Sequence, residues 1–167
     1  KVKLDNNWKI YWKNPGEAGL PPKIIFDKIS NVSNVNLLFP EPKSFKFFNI
    51  DTFGYDKEII FPLKIYVKNP DKIIFGNLKF NAQICNQICV PIEENFKLNY
   101  FPKSPQISNS SLKINEILNK VPKLYNSQSN FFKKIEINNN FTKFYFTRPV
   151  SSFRIIIENK DNFIFPQ

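Results

Sequence analysis

The sequence contains no histidine and no methionine, and it has only two cysteines, Cys85 and Cys89. Without histidine a Ser–His or Cys–His catalytic pair is excluded. A zinc site within the chain is excluded too, because a tetrahedral site takes four N or S ligands, usually from Cys and His. Iron–sulfur clusters and haem need ligands or attachment motifs that are missing, so no cofactor is implied. A two-coordinate Cu(I) site on two thiolates stays open. No run of about 18 apolar residues occurs, so nothing reads as a membrane-spanning helix. The sequence opens at Lys1 with no Met, as expected of a mature secreted protein whose signal peptide has been removed, or of an excised domain.

Arginine is scarce as well. The net charge is +10, yet only Arg148 and Arg154 among the 24 basic residues are arginines. Bidentate recognition of phosphates and base edges favours Arg. The lysines are scattered, with Lys133-Lys134 the longest run, so the charge reads as a solvated surface and not as a nucleic-acid interface.

What is abundant points to strands. Hydrophobic residues make up 42% and aromatic residues 16%, enough for a real core, with 19 Phe and 13 Pro. Aromatic and β-branched side chains suit a pleated, half-buried surface, while Pro and Asn supply turns. The expected class is therefore all-β. Strand candidates are Trp8–Trp12, Lys23–Phe26, Val35–Phe39, Phe45–Ile50, Glu58–Val67, Lys72–Ile84 and Val90–Tyr100. Asn14-Pro15-Gly16 reads as a turn, and Pro62 as an edge or bulge position. Asp51 to Asp56 reads as a loop carrying Phe53 and Tyr55. Short, regularly spaced strands suggest a β-sandwich.

A composition shift near Pro102 to Ser111 suggests a linker, dividing the chain into 1–103 and 104–167. In the second part, Ser110 or Ser111 can cap a helix with Ile114, Ile117, Leu118 and Val121 at i, i+3, i+4 and i+7. Strand-like Phe131–Ile137, Phe141–Thr147, Phe153–Ile157 and Phe163–Phe165 follow, a partial second β module.

Cys85 and Cys89 lie between two extended apolar segments, and the three residues between them fit a hairpin tip. Opposed positions there have Cα atoms about 4.5–5.5 Å apart, inside the roughly 4.4–6.8 Å that a disulfide needs. A bridge can form with little backbone movement. As a staple it closes a loop of about five residues and is worth only about 2 kcal/mol. At this point a redox pair and a structural bridge stand level.

The surrounding motifs carry a resemblance. Trp8-Lys9-Ile10-Tyr11-Trp12-Lys13-Asn14-Pro15-Gly16, continuing through Gly19-Leu20-Pro21-Pro22, resembles the opening motif of the N-terminal periplasmic domain of the thiol:disulfide interchange protein DsbD family. Phe53-Gly54-Tyr55 with Phe61-Pro62-Leu63 is similar to its middle segment, and Cys85 through Pro91 to its active-site hairpin. The resemblance implies an immunoglobulin-like sandwich in the periplasm with a C-terminal accessory segment. It implies a protein-disulfide reductase in which Cys89 attacks and Cys85 resolves. Phe53 or Tyr55 would shield the pair, with Tyr11 and Trp12 lining the site. The implied electron donor is a thioredoxin-like domain or membrane reductase, and the acceptor a disulfide isomerase or cytochrome maturation protein. A tether to a membrane domain outside this chain is also implied. No Lys or Arg lies between the cysteines to favour a thiolate, so the free thiol is expected to be sluggish until a partner docks.

Overall fold

In a computed structural model of the chain, residues 1–102, 110–123 and 131–149 are described. The order of elements is β1 (Val2–Lys3), β2 (Lys9–Gly16), β3 (Lys23–Ser30), β4 (Val32–Leu37), β5 (Lys43–Phe47) and β6 (Ile50–Asp56). Then come β7 (Glu58–Ile59), β8 (Leu63–Val67), β9 (Ile74–Cys85), β10 (Cys89–Tyr100), α1 (Ser110–Leu118), β11 (Phe132–Ile137) and β12 (Thr142–Phe146). Every strand pairing is antiparallel.

The main sheet runs β10-β9-β2-β6-β5, with β3 also paired to β9. β9 alternates along most of its length, burying Ile74, Leu78, Phe80 and Ala82 on one face. That face packs on the β4–β8 sheet through Val32 and Val35, with Ile65 and Val67 half-buried beside them. At about 25 cal/mol for each Å² of apolar surface removed from water, this interlayer core contributes to stability alongside the fully buried Ile10, Tyr11 and Trp12 of β2. The result is an all-β, immunoglobulin-like sandwich, the class expected from composition.

Three local expectations are corrected. Asp51 to Asp56 is not a loop but most of β6, an inner strand of the sheet, and Thr52 within it is fully buried. Gly54 belongs there because a Cβ would collide with the Ile10 carbonyl oxygen of β2. Asn14-Pro15-Gly16 does not leave the sheet. The β2–β6 ladder is interrupted between Tyr11 and Gly16, which accommodates a proline without an N–H, and pairing returns at Gly16 opposite Thr52. Glu58–Val67 is not one strand, because Pro62 separates β7 from β8, which join different sheets. The freed Pro62 carbonyl accepts from Leu38 N–H at 2.8 Å.

The chain divides into Lys1–Pro122 and Lys123–Gln167. α1 thus belongs to the first unit, where the Glu41 N–H donates to the Lys120 carbonyl just beyond the helix at 2.7 Å. In the second unit β11 and β12 form a hairpin. Asn138 Oδ1 accepts from the N–H groups of Asn140 and Phe141, both at 2.9 Å. The strand candidates Phe153–Ile157 and Phe163–Phe165, and the linker from Lys103 to Asn109, lie outside the described residues.

Candidate functional site: the cysteine hairpin

Cys85 ends β9, Cys89 begins β10, and they are cross-strand partners at the hairpin tip. They form a disulfide with their Cα atoms 4.1 Å apart. Such closeness marks a non-hydrogen-bonded antiparallel pair, for which about 4.5 Å is usual. The next pair inward to the turn carries the bond, with Asn86 N–H donating to the Ile88 carbonyl at 2.9 Å. Ile88 itself is 67% exposed beside Cys89.

The two cysteines have unlike surroundings. Cys85 is 1% exposed, whereas Cys89 is exposed at the head of an edge strand. The bridge therefore joins a buried residue to an exposed one.

Register decides what shares the site. Cys89, Cys85, Lys9 and Asp56 stand in one row across β10, β9, β2 and β6. Opposed residues point to the same face of a sheet. The adjacent row, Val90, Ile84, Ile10 and Tyr55, points to the other face. By alternation Tyr11 joins the cysteine face, while Trp12 and Phe53 join Tyr55 and Ile10. Cys85 is thus buried on the face opposite to Leu78, Phe80 and Ala82.

Of the four aromatics expected at the site, the sheet brings only Tyr11 to the cysteine side. Tyr55 is a core residue. It is 5% exposed, its hydroxyl donates to the Pro40 carbonyl at 2.7 Å, and its ring meets Phe61 edge-on at 5.3 Å. Burial pushes its pKa strongly upward. Phe53, half-buried on β6, pairs with Ser44. Trp12 is fully buried, with the Lys13 ammonium 5.2 Å from its ring. Tyr11 is fully buried too, its hydroxyl has no hydrogen-bond partner among the described residues, and burial raises its pKa. Its ring lies against Gly19 and 6.4 Å from Phe45.

Two contributors escaped the sequence reading. Lys9 is the cross-strand neighbour of Cys85, and its ammonium rests 5.0 Å from the Phe45 ring. The only signal for it was its place inside the aromatic motif, since nothing but register brings it to the cysteine. Asp56 closes the same row and is held by Lys43 at 2.6 Å. That hydrogen bond lowers the Asp56 pKa below the usual carboxylate value.

No curated protein matches the chain. Among solved structures it is similar to the N-terminal periplasmic domain of ScsB from Proteus mirabilis, with 28% identity and a TM-score of 0.60. The match covers 80% of this chain and 49% of that one, so the chain spans about half the length of the solved relative. Residues 1–100, from β1 through the cysteine hairpin, match the family described as thiol:disulfide interchange protein DsbD, N-terminal, and the chain belongs to that family.

Proposed function

We propose that this chain is a periplasmic protein-disulfide reductase module that carries two electrons on Cys85 and Cys89. In the reduced state the Cys89 thiolate attacks one sulfur of a partner disulfide. A Cys89–partner disulfide forms, and the partner's second sulfur leaves as a thiolate that takes a proton from water. The Cys85 thiolate then attacks Cys89 Sγ, which restores the Cys85–Cys89 bridge and releases the partner as a dithiol. Two electrons have passed to the partner. The same steps in reverse, with a donor dithiol attacking Cys89, recharge the module. A thioredoxin-like domain or membrane reductase is the donor class, and a disulfide isomerase or cytochrome maturation protein the acceptor class. The polypeptide is read as tethered to a membrane domain outside this chain.

The observation that carries this reading is the unequal exposure of the two cysteines, within a family named for thiol–disulfide interchange. Cys89 is open to attack, and buried Cys85 is held beside it to resolve the intermediate. Equilibration with glutathione redox buffers tests the reading. An exchange module has a reduction potential above about −300 mV, whereas a structural bridge lies below it. A value below that bound would assign the disulfide to stability alone.

A further inference from the structure

Resting on that reading, we propose that the Lys9 ammonium is the counter-cation of the Cys85 thiolate, drawn to Cys85 Sγ when the bridge opens and released to the Phe45 ring when it closes. When a donor thiolate attacks Cys89 Sγ, the electron pair of the broken bridge passes to Cys85 Sγ, which leaves as a thiolate. Cys85 is 1% exposed, and burial disfavours a thiolate unless an opposite charge stands near. The turn between the cysteines, Asn86-Gln87-Ile88, supplies no such charge. Register supplies it instead. Lys9 is opposed to Cys85 across β2 and β9, on the same face of the sheet. Opposed Cβ atoms lie about 4.5–5.5 Å apart, within the reach of the flexible four-carbon stem of a lysine.

The other charges on that face leave Lys9 available. Asp56, opposed to Lys9 on its other side, is bonded by Lys43 at 2.6 Å. Glu93, further along β10, is paired with Lys79 at 2.7 Å. The Tyr11 hydroxyl is buried, and burial raises its pKa, so it adds no charge. Among the described residues half-buried Lys9 has no carboxylate partner, and its ammonium rests 5.0 Å from the Phe45 ring. A neutral disulfide offers no charge to draw it away, so this is its place in the oxidised protein. The quadrupole of a ring holds a cation weakly, and a full negative charge on the opposed residue outcompetes it. When the Cys85 thiolate attacks Cys89 Sγ again, the partner sulfur leaves with the charge and Lys9 returns to Phe45.

The probe is the symmetrical disulfide of thionitrobenzoate, added to the reduced full chain. Attack by Cys89 releases one coloured thionitrobenzoate in a phase whose rate grows with probe concentration. Attack by Cys85 on Cys89 Sγ releases the second in a phase independent of that concentration. The second phase is followed across pH in the wild-type chain, in Lys9→Met and in Lys9→Arg. Lys9→Met keeps the stem and removes the charge, so the midpoint of the pH profile should move to higher pH. The rate at neutral pH should fall about threefold, because the lost thiolate is partly offset by its greater nucleophilicity. Lys9→Arg keeps the charge and should restore the wild-type midpoint. An unmoved midpoint in Lys9→Met, with the rate unchanged or lowered equally at every pH, would overturn the role of Lys9 and leave the exchange function intact. A shift confined to the first phase would overturn it as well, by assigning the ammonium to Cys89. No second release from the wild-type chain would instead overturn resolution by Cys85, and with it the exchange function itself.

Discussion

Gly19 lies directly against the ring of Tyr11, where any Cβ on residue 19 would overlap the ring carbons. Its φ of +94° is also one that L side chains resist. The loop after β2 thus closes over an aromatic that shares a face with the disulfide, and it does so because residue 19 has no side chain. Gly19→Ala should destabilise the protein by about 1–3 kcal/mol through backbone strain and displacement of the ring. Urea denaturation of the oxidised protein measures this, and an unchanged midpoint would contradict it.

Two tyrosines near each other in the sheet should respond oppositely to loss of a hydroxyl. Tyr55 donates to Pro40 in the core, so Tyr55→Phe leaves a buried carbonyl unpaired and should cost about 1–3 kcal/mol. The Tyr11 hydroxyl is buried with no partner among the described residues, so Tyr11→Phe should be neutral or stabilising. Parallel denaturation curves check the contrast. Equal losses would show that the two hydroxyls are similarly bonded.

That contrast also marks what the sequence could reveal. Aromatic and β-branched richness, turn residues and the spacing of the cysteines were enough for an all-β fold with a hairpin at Cys85 and Cys89. The 3.6-residue apolar spacing placed α1. The strand β6 was missed because Asp51, Gly54 and Asp56 are local turn signals. Gly54 is there for close approach to Ile10, a contact made only in the folded sheet. The same limit applies to the site. Whether Tyr11 or Tyr55 faces the disulfide depends on register between strands distant in sequence, and alternation within one strand gives no way to choose. The motif resemblance located the cysteines but did not settle which face the aromatics share.

The Lys43–Asp56 pair at the end of the cysteine row should contribute little and in a pH-dependent way. Its side chains are 66% and 40% exposed, so solvent screening limits its worth to less than about 1 kcal/mol. The folded pKa of Asp56 is lowered by Lys43, so the contribution is present above the unfolded value of about 3.9. It is lost as pH falls through the lower folded value. Lys43→Gln should therefore cost a fraction of a kcal/mol at neutral pH and nothing once Asp56 is protonated. Denaturation at the two pH extremes checks the sign, and a larger deficit in acid would contradict it.

Reducing the disulfide should leave the fold standing. The bridge closes a loop of about five residues, and its removal should cost about 2 kcal/mol, a small part of what the core of the first unit supplies. Guanidinium curves for the oxidised and dithiothreitol-reduced protein give the difference. Global unfolding on reduction would make the bridge structural.

The most direct measurement is capture by single-cysteine variants, read by mass spectrometry after mixing with an oxidised thioredoxin-fold protein. In the proposed exchange, exposed Cys89 attacks and buried Cys85 resolves. Cys85→Ser should therefore accumulate a mixed disulfide at Cys89, while Cys89→Ser should give little or none. Capture through Cys85, or through neither cysteine, would contradict the assignment of this hairpin as a thiol–disulfide exchange site.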